Sequence, residues 1–443
     1  MTERPRREVT EEAGHHLAPI AIPPSGPGVV SPLKRPEFRK LLAVSITVAL
    51  GFGMVIPVLP LLAESFGVGL AAIGLVQLVF GLTRFSFGLV GGLVVDRFGE
   101  RASTMAGLLI VAISSYAAGF AATFPQLVLA RGFGGAGSAL FIAGLMNRIL
   151  RIIEPEAMGR ATGAFRSSFL VGIAAGPVLG GIVARRFGLA APFHFYATGL
   201  LFAAVIAHVV MGGEESKFRR ERRSPLEALR AARPLLHDIR YVAALLATFV
   251  GWWTVSGPSQ IVGVVYAKNR LGLSAEQIGL AITMLAVGEV LILWVAGRAS
   301  DRYGRRSVLV PSLAVVGVAT LLMGQIQPVP WAFFPLMIAI GAGVAAGGTA
   351  AGGLLADAIP AEGSGAAVGV NQMAGDLGYL IAPSLIGAVA ESSLDYEGAY
   401  VVGALPALLM LFIALRLPRG AGRGTGADTE AHEHPVEPHE PVG

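Results

Sequence analysis

No cysteine occurs in the 443 residues, so neither a disulfide framework nor thiol chemistry belongs to any reading of this chain. Charge is also scarce. Only 14% of the residues are Asp, Glu, Lys or Arg, where a soluble domain carries roughly 25%, and the 54% that are hydrophobic point to a membrane protein. Strands of alternating polarity are missing, which excludes a membrane β-barrel. No HExxH or comparable pair of metal ligands is present, and Gly134-Gly-Ala-Gly-Ser138 lacks the lysine and strand context of a phosphate-binding loop. His194 and His208 are scattered, so a polytopic membrane enzyme such as an acyl transferase finds no reactive cluster. No cofactor and no metal are expected. The first forty residues have no apolar core or cleavage-like segment and read as a tail, not a signal peptide.

What fills the chain is a succession of apolar runs of about 20 residues, the length that a hydrocarbon core of about 30 Å demands of a helix rising 1.5 Å per residue. They predict helices near 41–63, 70–95, 104–123, 126–149, 162–187, 191–211, 241–264, 276–299, 307–326, 331–353, 366–390 and 397–417. The expected organisation is a cytoplasmic tail 1–40, a six-helix bundle 41–211, a cytoplasmic linker 212–240, a second six-helix bundle 241–417 and a disordered cytoplasmic tail 418–443. Lys34, Arg35, Arg39 and Lys40 precede the first helix, and Arg97, Arg101, Arg148, Arg151, Arg160, Arg302, Arg305 and Arg306 follow even crossings. That bias places both termini in the cytoplasm, with Arg185, Arg186, Lys268 and Arg270 standing against it. The net charge of +5 is spread over juxtamembrane turns, which suits anionic lipid headgroups and not nucleic acid. His432, His434 and His439 sit among Glu and Pro in a solvated tail.

One pattern is written twice: Gly92-Leu-Val-Val-Asp96-Arg97-Phe-Gly99-Glu-Arg101 and, 205 residues later, Gly297-Arg-Ala-Ser-Asp301-Arg302-Tyr-Gly304-Arg305-Arg306. Each follows an apolar run, so a six-helix unit has been duplicated in parallel orientation. The repeat extends to Gly176-Pro177 against Ala382-Pro383 and to Gly135-Ala-Gly137 against Gly341-Ala-Gly343. Gly172, Gly176 and Gly180 lie four apart on one stripe, where a second backbone approaches closely, and with Pro177 and Gly181 they form a helix-packing motif.

These residues resemble the major facilitator superfamily (MFS), whose Gly-x-x-x-Asp-Arg-x-Gly-Arg-Arg signature joins helices two and three and recurs between eight and nine. The segment Gly172 to Gly181 resembles the helix-five motif of its drug:proton antiporters, Arg131-Gly-Phe-Gly-Gly135-Ala-Gly137 their helix-four motif, and Gly51-Phe-Gly-Met-Val-Ile-Pro57-Val-Leu-Pro60 their first helix. The resemblance covers 40–417. It implies an all-α MFS fold of twelve transmembrane helices in two pseudo-symmetric six-helix bundles, with helix two beside eleven and five beside eight. Two departures stand out. Glu100 occupies a usually basic position, which is expected to weaken a cytoplasmic contact, and the acidic residue often found in helix one is absent around Val48 and Ala49.

An ionisable group facing hydrocarbon costs about 2.5–3.5 kcal/mol even on the lenient insertion scale, so each one calls for a partner or a purpose. Arg84, Arg131, Arg166, Glu289 and Asp376 are such groups. Arg84 lies twelve residues before Asp96 and Glu289 twelve before Asp301, so the repeat puts opposite charges at matching depth. Asp376 is the expected ion-pair partner of Arg84, either static or broken during transport. Glu289 has no partner at its own depth and is the expected proton-coupling carboxylate, with Asp376 and, by resemblance, Arg131 as further candidates for proton movement. Trp252 and Trp253 are mid-helix; they line a substrate cavity or pack in the core or against lipid. In the charged turns Asp96 and Asp301 are suited to hydrogen-bond helix N-termini of the other half or to pair with arginine, closing a cytoplasmic gate. There Gly92 and Gly297 permit close approach, Gly99 and Gly304 the sharp turn, and Arg97, Arg101, Arg302, Arg305 and Arg306 pair or only fix topology.

The expected function is secondary transport by alternating access in the plasma membrane, as a monomer, exporting a small organic or drug-like molecule in exchange for protons. Proton-coupled uptake of a sugar or other metabolite is the alternative. A polytopic enzyme or a non-transporting sensor stands further off.

Overall fold

The structure, a computed structural model, describes residues 31–154, 157–212, 233–359 and 364–418, and within them not the side chains of 89–93, 96, 159, 166 and 364–366. Residues 1–30 of the expected N-terminal tail, nearly all of the expected C-terminal tail, most of the linker, the surroundings of Gly92 and the side chains of Asp96 and Arg166 lie outside the described residues; the first helix begins at Pro36, inside the expected tail. Among the described residues, twelve helices are long and apolar enough to cross a membrane. They are α1 (Pro36–Glu64), α2 (Leu70–Gly88), α3 (Arg97–Gly119), α4 (Phe124–Ile152), α5 (Arg160–Phe187) and α6 (Ala191–Val210) in the first half. The second half has α7 (Ile239–Asn269), α8 (Ala275–Tyr303), α9 (Arg305–Met323), α10 (Pro330–Ala358), α11 (Ala367–Ala390) and α12 (Asp395–Ala414).

Local chemistry sets several helix ends. Asp238 caps α7 by accepting the Arg240 N–H at 2.8 Å, and the Arg240 guanidinium beside it holds the Asp238 carboxyl below the usual carboxylate range. Ser274 and Gln277 close a capping box at the start of α8. Both signature turns depend on their glycine: Gly99 has φ 83° and ψ 161°, Gly304 φ 90° and ψ 159°. That conformation is essentially reserved for glycine. The helices on either side of each turn are thereby redirected by one residue, twice, in the same way.

The glycine pairs show the duplication in three dimensions. A Cβ on Gly135 would stand 2.2 Å from the Phe80 carbonyl on α2, and one on Gly341 would stand 1.9 Å from the Leu285 carbonyl on α8. The α5 stripe does the same against α1, where a Cβ on Gly176 would meet the Leu50 carbonyl at 2.5 Å and one on Gly180 the Met54 carbonyl at 2.1 Å. In lipid, where apolar surface gains nothing by leaving the solvent, such backbone approach is a main source of helix association. Gly181 and Pro177 instead face the other half: a Cβ on Gly181 would meet the Ala275 carbonyl of α8, and one on Gly279 would meet the Pro177 carbonyl.

The halves touch along α2 and α11 and along α5 and α8, and both contacts lie away from the signature turns. Gly74 meets Ser384, Gly81 meets Leu380, Gly387 meets Leu70, and the Val178 N–H donates to Thr283 Oγ1 at 3.2 Å. At that far end Glu64 accepts from Lys268 Nζ at 2.8 Å and from Asn269, Arg185 pairs with Glu276, and Glu391 accepts the Ala71 N–H at 3.3 Å. At the signature end, no hydrogen bond or ion pair joins the halves among the described residues. Among the described residues, the contacts between the halves gather at the end away from the signature turns.

Ion pairs at the signature end stay within each half. Glu100 is buried at 8% exposure and holds Arg148 at 2.7 Å as well as Arg151, while Arg148 also binds Glu37 on α1. The acidic departure in the first signature thus ties α1, α3 and α4 together, and the contact it was expected to weaken is not formed here. Arg148→Gln is expected to lower the melting temperature of the purified protein by several degrees, because it strips a buried charge from two carboxylates. Glu37→Gln, at the exposed rim, should move it less. Equal melting temperatures for the wild type and the Arg148 variant would remove the cluster from the account of stability.

Candidate functional site

Helical spacing assigns the membrane charges to faces. On α2, Gln77, Phe80 and Arg84 fall on one side, and Leu75 and Leu82, on the other, are exposed to lipid. On α8, Glu289 shares its side with the buried Ile282 and Ala286, opposite the exposed Leu280, Val287, Leu291 and Trp294. On α11, Gln372, Asp376 and Tyr379 lie together, away from the exposed Leu377, Ile381 and Leu385. Of these residues Gln77 and Tyr379, one from each half, line the space between the halves. At its closed end is a recess lined by Phe52, Ile56, Gln77, Arg131, Gln260 and Tyr379, among others.

The expected ion pair between Arg84 and Asp376 is not formed. Asp376 Oδ1 accepts instead from Gln372 Nε2, one turn back on α11, at 3.2 Å, and Arg84 is exposed on the cavity side within electrostatic range of Tyr379 and Tyr196. The physical reason lies in the packing: α2 and α11 are in contact as far as Gly81 and Leu380, and a Cβ on Gly88 would meet nothing within 4 Å. Matching depth is therefore not contact. Glu289 has no hydrogen-bond or ion-pair partner among the described residues. Arg131 is 2% exposed, its guanidinium lies 4.7 Å from the Phe80 ring centroid, and its Nε and Nη1 have no hydrogen-bond partner.

The two tryptophans separate. Trp252 is 44% exposed and meets the Tyr379 ring edge-on at 5.6 Å, at the cavity. Trp253 is 5% exposed and donates from Nε1 to the Gly403 carbonyl on α12 at 3.1 Å, so it belongs to the core and not to the cavity. Just beyond it α7 opens into a π-helical stretch, Val255–Ile261, around Pro258, which carries Gln260 to the recess. Such stretches concentrate at functional sites.

The signature residues make contacts within their own halves. Asp301 pairs with Arg305, which also reaches Asp357 at 3.3 Å; Arg306 donates to the Leu417 carbonyl at 2.7 Å; Arg101 meets His208 at 3.0 Å. Arg97 and Arg302 lie over the rings of Phe98 and Tyr303. A Cβ on Gly297 would meet nothing within 4 Å, so the close approach expected there is not used in this structure. Among the described residues, no hydrogen bond or ion pair from a signature turn reaches the other half.

Sequence reasoning passed over Gln77, Gln260 and Tyr379, and over the outer contacts of Glu64 and Glu276. Gln77 lies seven residues before Arg84, two turns along the same face, so that signal was available. The outer contacts join residues up to 320 positions apart and had none. Glu64→Gln combined with Glu276→Gln is expected to loosen the outer closure and raise thiol labelling of a cysteine placed at Ile56 in the recess several-fold. The chain holds no cysteine of its own to interfere. Unchanged labelling would show that the glycine contacts alone keep this end shut.

Two duplicated six-helix units that meet at one end and carry charged groups within their membrane helices define a membrane transporter. The family model of the Major Facilitator Superfamily matches residues 41–264 and 244–440, and the chain belongs to that superfamily. It is 29% identical over 394 residues to the tetracycline resistance protein, class C, of Escherichia coli, covering 84% of this chain and 94% of that one. It is 22% identical over 362 residues to the multi-drug resistance efflux pump PmrA of Streptococcus pneumoniae, covering 80% and 88%. The solved structure of the nucleoside transporter NupG superposes with a TM-score of 0.71 at 15% identity, covering 86% of this chain and 98% of that one. The chain is thus a multi-pass transporter of the lipid bilayer, not an enzyme, and resembles the drug-antiporter branch of its superfamily.

Proposed function

We propose that the protein exports a small organic or drug-like molecule across the plasma membrane in exchange for protons, working as a monomer with both termini cytoplasmic. The observation that carries the coupling is Glu289, an unpartnered carboxyl group on the cavity side of a membrane helix. Such a group is costly unless it serves a purpose. The relatives named for tetracycline and multi-drug resistance support the direction. With the signature end cytoplasmic, the contacts that join the halves lie at the outer end, as an inward-facing state requires. In the opposite state Asp96 and Asp301 meet the other half and close the cytoplasmic side, and Arg84 and Asp376 approach one another.

Proteoliposomes with an imposed pH gradient test the reading. Substrate flux should run against the proton gradient and collapse with a protonophore. Flux in the same direction as the protons would establish the uptake alternative, and flux indifferent to the gradient would end proton coupling. For the gate, Asp301→Asn should raise labelling of a cysteine at Leu293 on the α8 cavity face, since it removes a contact used only when that side is shut. Unaltered labelling and transport would dismiss Asp301 from the gate.

A further inference from the structure

The outward side of α8 changes character toward the signature end. Val287, Leu291, Trp294, Arg298 and Arg302 follow one another at spacings of four, three, four and four, which puts them on one stripe of the helix. All five are exposed, Leu291 and Trp294 at 69% each, opposite the buried Ile282, Ala286, Ala296 and Ser300. The stripe is apolar along the membrane and ends in a tryptophan followed by two arginines one turn apart. Tryptophan at such an end marks the headgroup level of the bilayer.

Both guanidinium groups lie against exposed rings, Arg298 at 3.1 Å from the centroid of Trp294 and Arg302 at 5.3 Å from that of Tyr303. A ring attracts the charge and leaves the N–H donors without an acceptor. Neither arginine has a carboxylate partner among the described residues. The adjacent Asp301 is taken by Arg305, which also reaches Asp357. Side chains four apart on a helix have Cβ atoms about 5–6 Å apart, so two donor forks converge on a space the size of one phosphodiester.

This arrangement belongs to the second half alone. Read 205 residues earlier, the duplicated pattern has Leu89 and Leu93 where the second half has Trp294 and Arg298. A second copy of the chain does not suit the charges, because a two-fold axis through this face would set arginine against arginine.

We infer that Trp294, Arg298 and Arg302 form a binding site for the phosphodiester of an anionic phospholipid, in the leaflet at the signature end of the second half. The two arginines hold the phosphate oxygens, Trp294 lies at the level of the glycerol backbone, and the acyl chains run along Leu291 and Val287. The assignment is independent of the coupling ion and of the direction of transport.

Native mass spectrometry of the purified full chain, titrated in detergent with dioleoyl phosphatidylglycerol or dioleoyl phosphatidylcholine, tests the site. One phosphatidylglycerol should be retained in preference to phosphatidylcholine, whose choline cancels the charge of its phosphate. Arg298→Gln should weaken that first phosphatidylglycerol about fivefold, and Arg298→Gln with Arg302→Gln about thirtyfold. Arg160→Gln removes an exposed charge from the same end of the other half and, as the control, should change nothing. Equal retention of the two lipids by the wild type, an unchanged first lipid in the double variant, or an equal loss in the Arg160 variant would overturn the inference. Displacement by excess inorganic phosphate would give the arginines to a soluble anion, and a wild-type dimer dispersed by Trp294→Ser would give the face to a second copy; either result overturns it as well. If the double variant does not fold, the single variant and the comparison of the two lipids on the wild type still decide.

Discussion

Replacing Glu289 with glutamine is expected to abolish transport driven by a pH gradient, by about two orders of magnitude or more, while leaving substrate binding and downhill substrate exchange in place. Glutamine keeps the shape of a protonated carboxyl group and can never release a proton. The side chain lies on the side of α8 opposite the exposed Val287, Leu291 and Trp294, has no partner among the described residues, and stands at the depth that the repeat assigns to Arg84 in the other half. An ionised carboxylate there costs about 2.5–3.5 kcal/mol even on the lenient insertion scale. Its charge is tolerable where water reaches it, through whichever side is open, and becomes a burden when the cavity seals. Under the proposed exchange, a proton neutralises Glu289 for one transition and leaves before the substrate-loaded return, so that proton and substrate cross in opposite directions. Glu289→Asp should retain part of the coupled rate. Wild-type accumulation by Glu289→Gln would transfer the coupling role elsewhere, with Asp376 the next carboxyl group facing the cavity.

The second large effect is expected from Gly180→Val, which should destroy the fold of the first half and with it the yield of monodisperse protein. The obstacle is backbone: a Cβ at this position would stand 2.1 Å from the Met54 carbonyl. A backbone carbonyl cannot rotate away as a side chain can, so α5 must separate from α1 and loosen the neighbouring contacts of Gly176 and Gly172 as well. Overpacking against side chains typically costs 1–3 kcal/mol; overpacking against a rigid carbonyl on a shared stripe costs more. Gly163→Ala, on the same helix with nothing within 4 Å of its added Cβ, is the control and should be neutral or slightly stabilising. Thermal melting and size-exclusion profiles of the two variants check this. A Gly180→Val protein that melts like the wild type would show that the α1–α5 contact yields without cost.

Much of the architecture was legible in the chain because membrane insertion writes itself into sequence. Runs of about 20 apolar residues reveal helices, and the twice-written turn reveals the duplication. Both turns place their glycine at positive φ, as a sharp turn requires. The glycine stripe at 172, 176 and 180 announced a backbone contact and makes one with α1. The cavity was only partly legible. Arg84, Glu289 and Asp376 were identified because charge in an apolar run is conspicuous. Gln260 and Tyr379 are neutral and nothing local marks them, and Gln77 is marked only by its seven-residue spacing from Arg84.

By itself, then, the sequence determined that the protein is a duplicated bundle of membrane helices, where its turns lie and which charges need an explanation. The tertiary structure decided which of those charges have partners. Arg84 and Asp376 share a depth and do not touch; Trp252 and Trp253 are neighbours in the chain and face a cavity and a core; Glu100, an apparent defect in the signature, binds two arginines. The physical reason is that hydrophobicity and turn chemistry act over a few residues and leave a periodic trace. An ion pair depends on ångström distances between helices hundreds of positions apart, and on which end of the molecule is open.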